Sequence, residues 1–279
     1  MLADCDLDGI LTAYLCAESA LMIVIGVHLI AERSLGFVRQ WNPAALRPYL
    51  AYSLPLLPYS MFLTVNQFAD RYFITHLIGL EATGIYGFTY GLIMSAFLLN
   101  GSISYVIYPH LTRLWEDGDM QAVQAQLESG QRMFVFVAVP VAFGFCAIYP
   151  ALVTAMVGED FVLGMLAVGA IVLGQFWLGL CSIFGFIIDL SKRTTFFVKV
   201  LVVTASLNLV LNAALVPTMG ISGAALATAF TYATQLFMMW FATREIAPFK
   251  VRIDVRFMAQ CAILASLMVG AIYVLQPLA

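Results

Sequence analysis

The sequence predicts an all-α fold: a polytopic membrane helix bundle of about eight transmembrane helices. Three observations predict it. The 279 residues are 62% hydrophobic and only 10% charged, whereas a soluble domain is nearer half apolar and a quarter charged. The apolar residues gather in runs long enough to cross roughly 30 Å of hydrocarbon, which takes about 20 residues of helix. The basic residues fall between those runs in strict alternation.

The spans read as 10–30, 49–75, 83–108, 133–157, 161–188, 196–217, 220–243 and 257–277. Arg33, Arg39 and Arg47 lie in the first connection, and Arg113 and Arg132 in the third. Lys192, Arg193 and Lys199 surround the fifth, and Arg244, Lys250, Arg252 and Arg256 fill the seventh. Of the 13 lysines and arginines, only Arg71 stands outside this pattern. The positive-inside rule makes those connections cytoplasmic. The alternate connections carry acids instead, Glu81 and then Glu159 and Asp160.

Other classes are excluded by what is present. The net charge of -3 comes with no basic tail or patch, so a nucleic-acid partner is not expected. The five cysteines show no CxxC or Cys/His spacing, so neither a metal site nor a disulfide framework is expected. The start is apolar but carries Asp4, Asp6 and Asp8, where a signal peptide would carry positive charge. No Walker, HExxH or GxSxG pattern occurs, so no cofactor and no catalytic residue is expected.

In chain order, the first connection carries Gly36, Pro43 and Pro48 and reads as a boundary between lobes. The second span is the most informative. Its outer half reads Thr64-Val-Asn66-Gln67-Phe-Ala-Asp70-Arg71-Tyr72-Phe73-Ile74. An acid and a base inside the membrane are costly, and they normally face a bundle interior, a wet cavity or a partner. At 100° per residue, Tyr52, Tyr59, Asn66 and Asp70 share one face within about 40°. Gln67 and Arg71 form a second i,i+4 pair beside it. Asp70 and Arg71 point about 100° apart, so they are not simply each other's salt bridge.

The third connection reads as a short interfacial helix capped by Asp119, with Met120, Val123 and Leu127 on its apolar side. Pro55, Pro58, Pro140 and Pro150 fall in spans and read as kinks or hinges. In the sixth span Thr204, Asn208 and Asn212 recur at i,i+4. Pro217 to Gly220 reads as a tight turn. Gly223 with Ala227, and Ala224 with Thr228, give a small-residue face for close helix approach.

These residues resemble the polysaccharide transport family of the MATE-like exporter superfamily, which includes flippases of O-antigen and other lipid-linked oligosaccharides. The stretch from Asp70 to Ile74 followed by Gly84-Ile85-Tyr86 looks like that family's seventh helix and the start of its eighth. Asn208 to Thr228 looks like its eleventh-to-twelfth hairpin, and Gly174-Gln175 is similar to a tenth-helix pattern. The resemblance runs from about residue 9 to 277. It implies two six-helix lobes around a central cavity open alternately to either side. On that footing residues 1–30 hold the last helix of the first lobe, and 31–48 a cytoplasmic linker. Residues 49–243 form the six-helix second lobe, and 244–279 a cytoplasmic link plus one further helix.

The expected function follows. The chain resembles a flippase that exports a polyprenyl diphosphate-linked oligosaccharide for surface polysaccharide such as lipopolysaccharide. The bilayer, the lipid-linked oligosaccharide and other polysaccharide-assembly membrane proteins would be its partners, in the bacterial inner membrane. Arg71 would offer the diphosphate a bidentate cation. Asp70 would bind a coupling proton or orient Arg71. Asn66, Gln67, Tyr52, Tyr59, Asn208 and Asn212 complete the expected substrate or ion path. A drug or other small-molecule exporter of the same superfamily is the alternative. An intramembrane glycan polymerase or ligase, and a non-transporting scaffold, are the readings from other classes.

The alternation of basic residues makes a direct prediction. Residues 31–48, 109–132, 189–195 and 244–256 lie on the cytoplasmic side. Cysteines placed at Ser34, Ser129 and Ser191 should react from the cytoplasm, and one at Glu159 from the opposite side. Labelling of any of the first three from outside would invert the topology.

Overall fold

The computed structural model describes residues 7–31, 56–247, 249 and 253–275. Every regular element among them is helical. In order they are α1 (Leu7–Ala31), α2 (Leu56–Leu77), α3 (Leu80–Ala96), α4 (Leu99–Glu116) and α5 (Met120–Val157). A 3-10 turn at Glu159–Phe161 follows, then α6 (Met165–Leu190), α7 (Thr194–Met219), α8 (Ile221–Ile246) and α9 (Val255–Leu275). The chain divides into two compact units, Met1–Ser53 and Leu54–Ala279. The described part of the first is the single helix α1.

Four described stretches are long and apolar enough to cross a membrane, Thr12–Ala31, Met120–Val157, Met165–Leu190 and Phe196–Met219. The protein is a multi-pass membrane protein. Helix α2 is less apolar because of its Asn66-to-Arg71 stretch, and α8 because of Thr228, Thr231, Thr234 and Gln235. Large apolar side chains such as Tyr105, Val106, Phe136, Phe230 and Phe237 stand exposed on the bundle surface. That is unfavourable in water and ordinary in lipid.

Helix α6 is the centre of the unit. It is apolar on every side, and the run from Leu180 to Ile188 is almost entirely buried. An all-round apolar helix belongs in an interior. It packs most extensively on α8 and also touches α3, α4, α5 and α7. Glycine permits the α6–α8 approach: a Cβ at Gly174 would stand 3.4 Å from the Ala229 Cα. Helix α2 lies against α7, α3 and α8, and α9 against α5.

The connections are short, so sequence neighbours pack side by side. Helices α7 and α8 do so, as the Pro217-to-Gly220 pattern predicts. The turn is tighter than expected. Pro217 stays inside α7, and Gly220 alone separates the two helices. Its φ of 60° suits a residue without a Cβ. Three residues on, a Cβ at Gly223 would collide with the Leu215 carbonyl oxygen.

Two expectations need correction. The third span, 83–108, is not one helix. It breaks at Phe97–Leu98, where α3 ends and α4 begins. The backbone N–H of Phe97 bonds to the carbonyls of Ile93 and Met94, and that of Leu98 to Ser95. Tightened end-of-helix bonds of this kind let the chain turn without Gly or Pro. The short interfacial helix of the third connection is not separate either. Asp119 does cap a helix, accepting from the Ala122 N–H at 3.0 Å, and Val123 and Leu127 are buried. That helix is α5, which runs unbroken for 38 residues, through Pro140 and Pro150. Pro58 falls in the first described turn of α2. Pro55 and the linker residues 32–48 lie outside the described residues.

The hairpin supplies a stability prediction. Gly223→Ala puts a methyl against an immovable backbone oxygen and should cost about 1–3 kcal/mol. Gly91→Ala, in α3 with nothing near its Cβ direction, should be neutral or slightly stabilising. Thermal unfolding of the detergent-purified variants compares them. Equal melting would mean that the α7–α8 hairpin is looser than described.

Candidate functional site

A polar constellation is built around the inner face of α2. Asp70 is buried, with 2% of its surface exposed. Its Oδ2 accepts a 2.6 Å hydrogen bond from the Tyr86 hydroxyl of α3. Its Oδ1 accepts from the backbone N–H of Arg71 at 2.8 Å. Both carboxylate oxygens therefore have donors, which is what a carboxylate in a dry interior requires. Among the described residues no ion pair joins Asp70 to the Arg71 guanidinium, in keeping with their angular separation on the helix.

Arg71 points elsewhere. Its Cζ lies 5.2 Å from the Phe68 ring centroid and 5.6 Å from that of Tyr90. Contacts of this length place a cation on aromatic faces. Gly87 of α3 lies alongside, where a Cβ would stand in ordinary contact, 3.9 Å from the Arg71 Nε. That Nε is buried and has no hydrogen-bond partner among the described residues. A guanidinium carries five donors in a fixed fork, so an unpaired buried one marks a place where an acceptor fits.

Tyr90 extends the network across the bundle. Its hydroxyl accepts from the Gln175 amide of α6 at 2.9 Å and shares a 3.2 Å bond with the Tyr232 hydroxyl of α8. The Tyr86 and Tyr90 rings stand 5.9 Å apart, one helical turn along α3. Asp70, Arg71, Tyr86, Tyr90, Gln175 and Tyr232 thus connect α2, α3, α6 and α8. A second cluster fastens the same face of α3. Thr89 shares a 3.0 Å bond with the Tyr149 hydroxyl, which also accepts from the Leu163 N–H at 2.9 Å.

The asparagines sit in different seams. Asn66 is buried and donates to the Thr204 hydroxyl of α7 at 3.0 Å. Asn208 and Asn212 are fully buried between α7 and α8. Asn208 donates to Thr231 at 3.3 Å, and the Asn212 amide donates to the Asn208 carbonyl and side-chain oxygens, each at 3.0 Å. The Asn66–Thr204 and Asn208–Thr231 bonds join helices, in the manner that holds membrane bundles together; those of Asn212 stay within α7. Among the described residues no hydrogen bond joins these asparagines to the Asp70 network. Gln67 is exposed, so the expected Gln67–Arg71 pair does not turn inward. Tyr59 lies in α2 with its side chain outside the described residues, and Tyr52 is outside them altogether. Among the described residues no cluster of His, Cys, Asp and Glu has the makings of a metal site.

Sequence reasoning placed Asp70 and Arg71 and left Tyr90 and Tyr232 without a role. The available signal was the i,i+4 spacing of Tyr86 and Tyr90 in an otherwise apolar run. Tyr232 carried none, because its partner is 142 residues away.

Comparison with known proteins sets this geometry in a family. An uncharacterised membrane protein of Methanocaldococcus jannaschii is 23% identical over 236 residues, covering 82% of this chain and 46% of that protein. Among solved structures, the lipid II flippase MurJ in an inward closed conformation superposes with a TM-score of 0.66 at 14% identity, over 85% of this chain and 51% of that one. An outward-facing multidrug resistance MATE family transporter of the MOP superfamily gives 0.59 at 17% identity, over 80% and 52%. A MOP superfamily transporter from Pyrococcus furiosus gives 0.55 at 18%, over 80% and 52%. The fold is therefore the helical bundle of these transporters, and the chain spans about half the length of the relatives it matches. A family model described as polysaccharide biosynthesis protein matches residues 11–165, more than half of the sequence, and the chain belongs to that polysaccharide biosynthesis protein family.

Proposed function

We propose that the chain is the second-lobe part of a flippase-type carrier for a polyprenyl diphosphate-linked oligosaccharide, working in the cytoplasmic membrane of a bacterium. Residues 49–243 are then the lobe, 31–48 and 244–256 cytoplasmic links, and α1 the last helix of a first lobe. The family and the transporter fold support a carrier rather than an enzyme. The observation that carries the cargo assignment is the buried, unpartnered Nε of Arg71 beside the aromatic faces of Phe68 and Tyr90. A diphosphate offers the planar pairs of acceptors that a guanidinium fork matches. Aromatic rings beside it offer stacking surfaces for sugar rings. Surface glycan such as O-antigen is the product this cargo would serve, with other polysaccharide-assembly membrane proteins as neighbours.

The drug-exporter reading shares the fold and is separated by cargo. It has no need of a cation placed for a diphosphate.

The test is transport of surface glycan per molecule of membrane-inserted protein, in the carrier as it occurs in the cell. Arg71→Ala should abolish flipping while leaving insertion intact, and Arg71→Lys should keep only part of it, since lysine retains the charge without the fork. Normal transport per molecule in Arg71→Ala would end the diphosphate assignment.

Asp70 and Tyr86 give a second test. Tyr86→Phe leaves Asp70 Oδ2 without its donor and should lower stability by about 1–3 kcal/mol. Asp70→Asn keeps the shape and an acceptor. If Asp70 carries a coupling proton, Asp70→Asn should flatten the dependence of transport on external pH more than it weakens cargo binding. An unchanged pH dependence in Asp70→Asn would leave Asp70 a packing residue only.

A further inference from the structure

A second polar site lies away from the Asp70 network, where α5, α6 and the start of α9 meet. It is a cavity of about 460 Å³, within the roughly 300–1,000 Å³ range of small-molecule sites. One wall is polar: Glu128, Gln131 and Arg132 of α5, with Asp254 at the head of α9. The other is apolar, formed by Val135, Leu180, Val255, Phe257 and Met258.

Its polar groups are arranged and not random. Asp254 does two things. Its Oδ1 caps α9 by accepting from the Phe257 N–H at 3.0 Å, and its Oδ2 pairs with the Arg132 guanidinium at 3.0 Å. Arg132 stands one turn from Glu128 on α5, the usual spacing for an ion pair. It reaches instead across to α9 and leaves Glu128 with a neutral partner, the Gln124 amide at 2.9 Å. An acid and a base thus face one cavity without neutralising each other. Between them Gln131 is 5% exposed, and its amide nitrogen is buried with no partner among the described residues. A buried amide without an acceptor is costly, and this one lines a cavity.

The position in the membrane narrows the ligand. Helix α5 has 38 residues and is about 57 Å long, against roughly 30 Å of hydrocarbon. Its polar first third, which holds Gln124, Glu128, Gln131 and Arg132, therefore stands at the membrane–water boundary. The apolar wall continues toward the hydrocarbon from Val135.

We propose that this cavity binds the headgroup of a zwitterionic amine phospholipid, with its phosphate on Gln131 and Arg132, its ammonium on Glu128 and its glycerol end along the apolar wall. Arg132 and Asp254 offset each other, so an anionic headgroup would meet Glu128 with no second cation among the described lining residues to balance it. A phosphocholine group has no N–H to give Glu128. Phosphatidylethanolamine has both charges and the N–H donors.

The test is native mass spectrometry of the full chain released from nanodiscs containing phosphatidylethanolamine, phosphatidylglycerol and phosphatidylcholine. The wild-type chain should retain phosphatidylethanolamine preferentially. Gln131→Leu should reduce retention about tenfold, the loss expected for one hydrogen bond to a charged group. Glu128→Gln should erase the preference for phosphatidylethanolamine while other lipids still bind. Val255 is largely exposed, so Val255→Trp can plug the apolar side without disturbing the core, and it should reduce retention even if Gln131→Leu folds poorly. Equal retention in wild type, Glu128→Gln and Val255→Trp would overturn the site. Displacement of bound lipid by inorganic phosphate would also overturn it, because a soluble anion would then be the ligand.

Discussion

The hydrogen bond from the Tyr86 hydroxyl to Asp70 Oδ2, 2.6 Å long, is the constraint on which the rest of the site depends. A membrane interior gives a carboxylate no water, so its oxygens must be satisfied by protein or the helix cannot stay there. Asp70 takes one donor from its own backbone and one from α3. That fixes the rotation of α2 against α3, and with it the direction of Arg71. With Asp70 bonded to Tyr86, Arg71, roughly 100° round the helix, lies against Phe68 of its own helix and Tyr90 of α3. Tyr90 in turn is held by Gln175 and Tyr232, so one carboxylate sets the register of four helices.

The two kinds of polar seam in this bundle do different work. Asn208, Asn212, Thr231 and Thr204 bond to one another or to backbone at 0% exposure. They close the α2–α7–α8 side with small and amide side chains, and such bonds are each modest in a membrane, about 1 kcal/mol. The α3 side uses hydroxyls of tyrosine in place of amides. Tyrosine brings an aromatic face as well as a donor, so the same residues that satisfy Asp70 also form the surface beside Arg71. The seam of asparagines binds helices. The seam of tyrosines binds helices and leaves a cation next to rings.

How much of this was legible follows the physics of each signal. Lipid forbids unpaired backbone, so hydrophobic runs and the alternation of lysine and arginine report the bundle clearly, and small residues at Gly223 and Ala227 report a close hairpin. The break at Phe97–Leu98 was invisible because it uses neither Gly nor Pro, and a run of apolar residues looks the same with or without a turn in it. The continuity of α5 was hidden for the opposite reason: a change from polar to apolar character mimics a boundary, although the backbone needs none. In the site, Asp70 and Arg71 stood out because charge in lipid is rare. Tyr90 and Tyr232 did not, because an aromatic in a membrane span is ordinary until its distant partner is known.

The geometry at Asp70 also constrains how a coupling proton would move in the proposed carrier. In the arrangement described here both carboxylate oxygens already accept hydrogen bonds. A proton arriving at Oδ2 meets the Tyr86 hydroxyl, whose own hydrogen lies on that line. A carboxylate has about four acceptor sites and two are used here, so a proton can add at a free one with the Tyr86 bond kept; a proton placed on the Tyr86 side requires that bond to reverse or break. Reversal needs another acceptor for the Tyr86 proton in a buried environment. Breaking it lets α3 rotate or withdraw from α2, and Tyr90, one turn along, goes with it. Tyr90 is part of the surface that Arg71 rests against. In the proposed carrier, a proton that displaced the Tyr86 bond would thereby be linked to the setting of the Arg71 cation through one turn of α3. Such a link ties an ion's occupancy to a site's shape through a two-state element and not through distance alone.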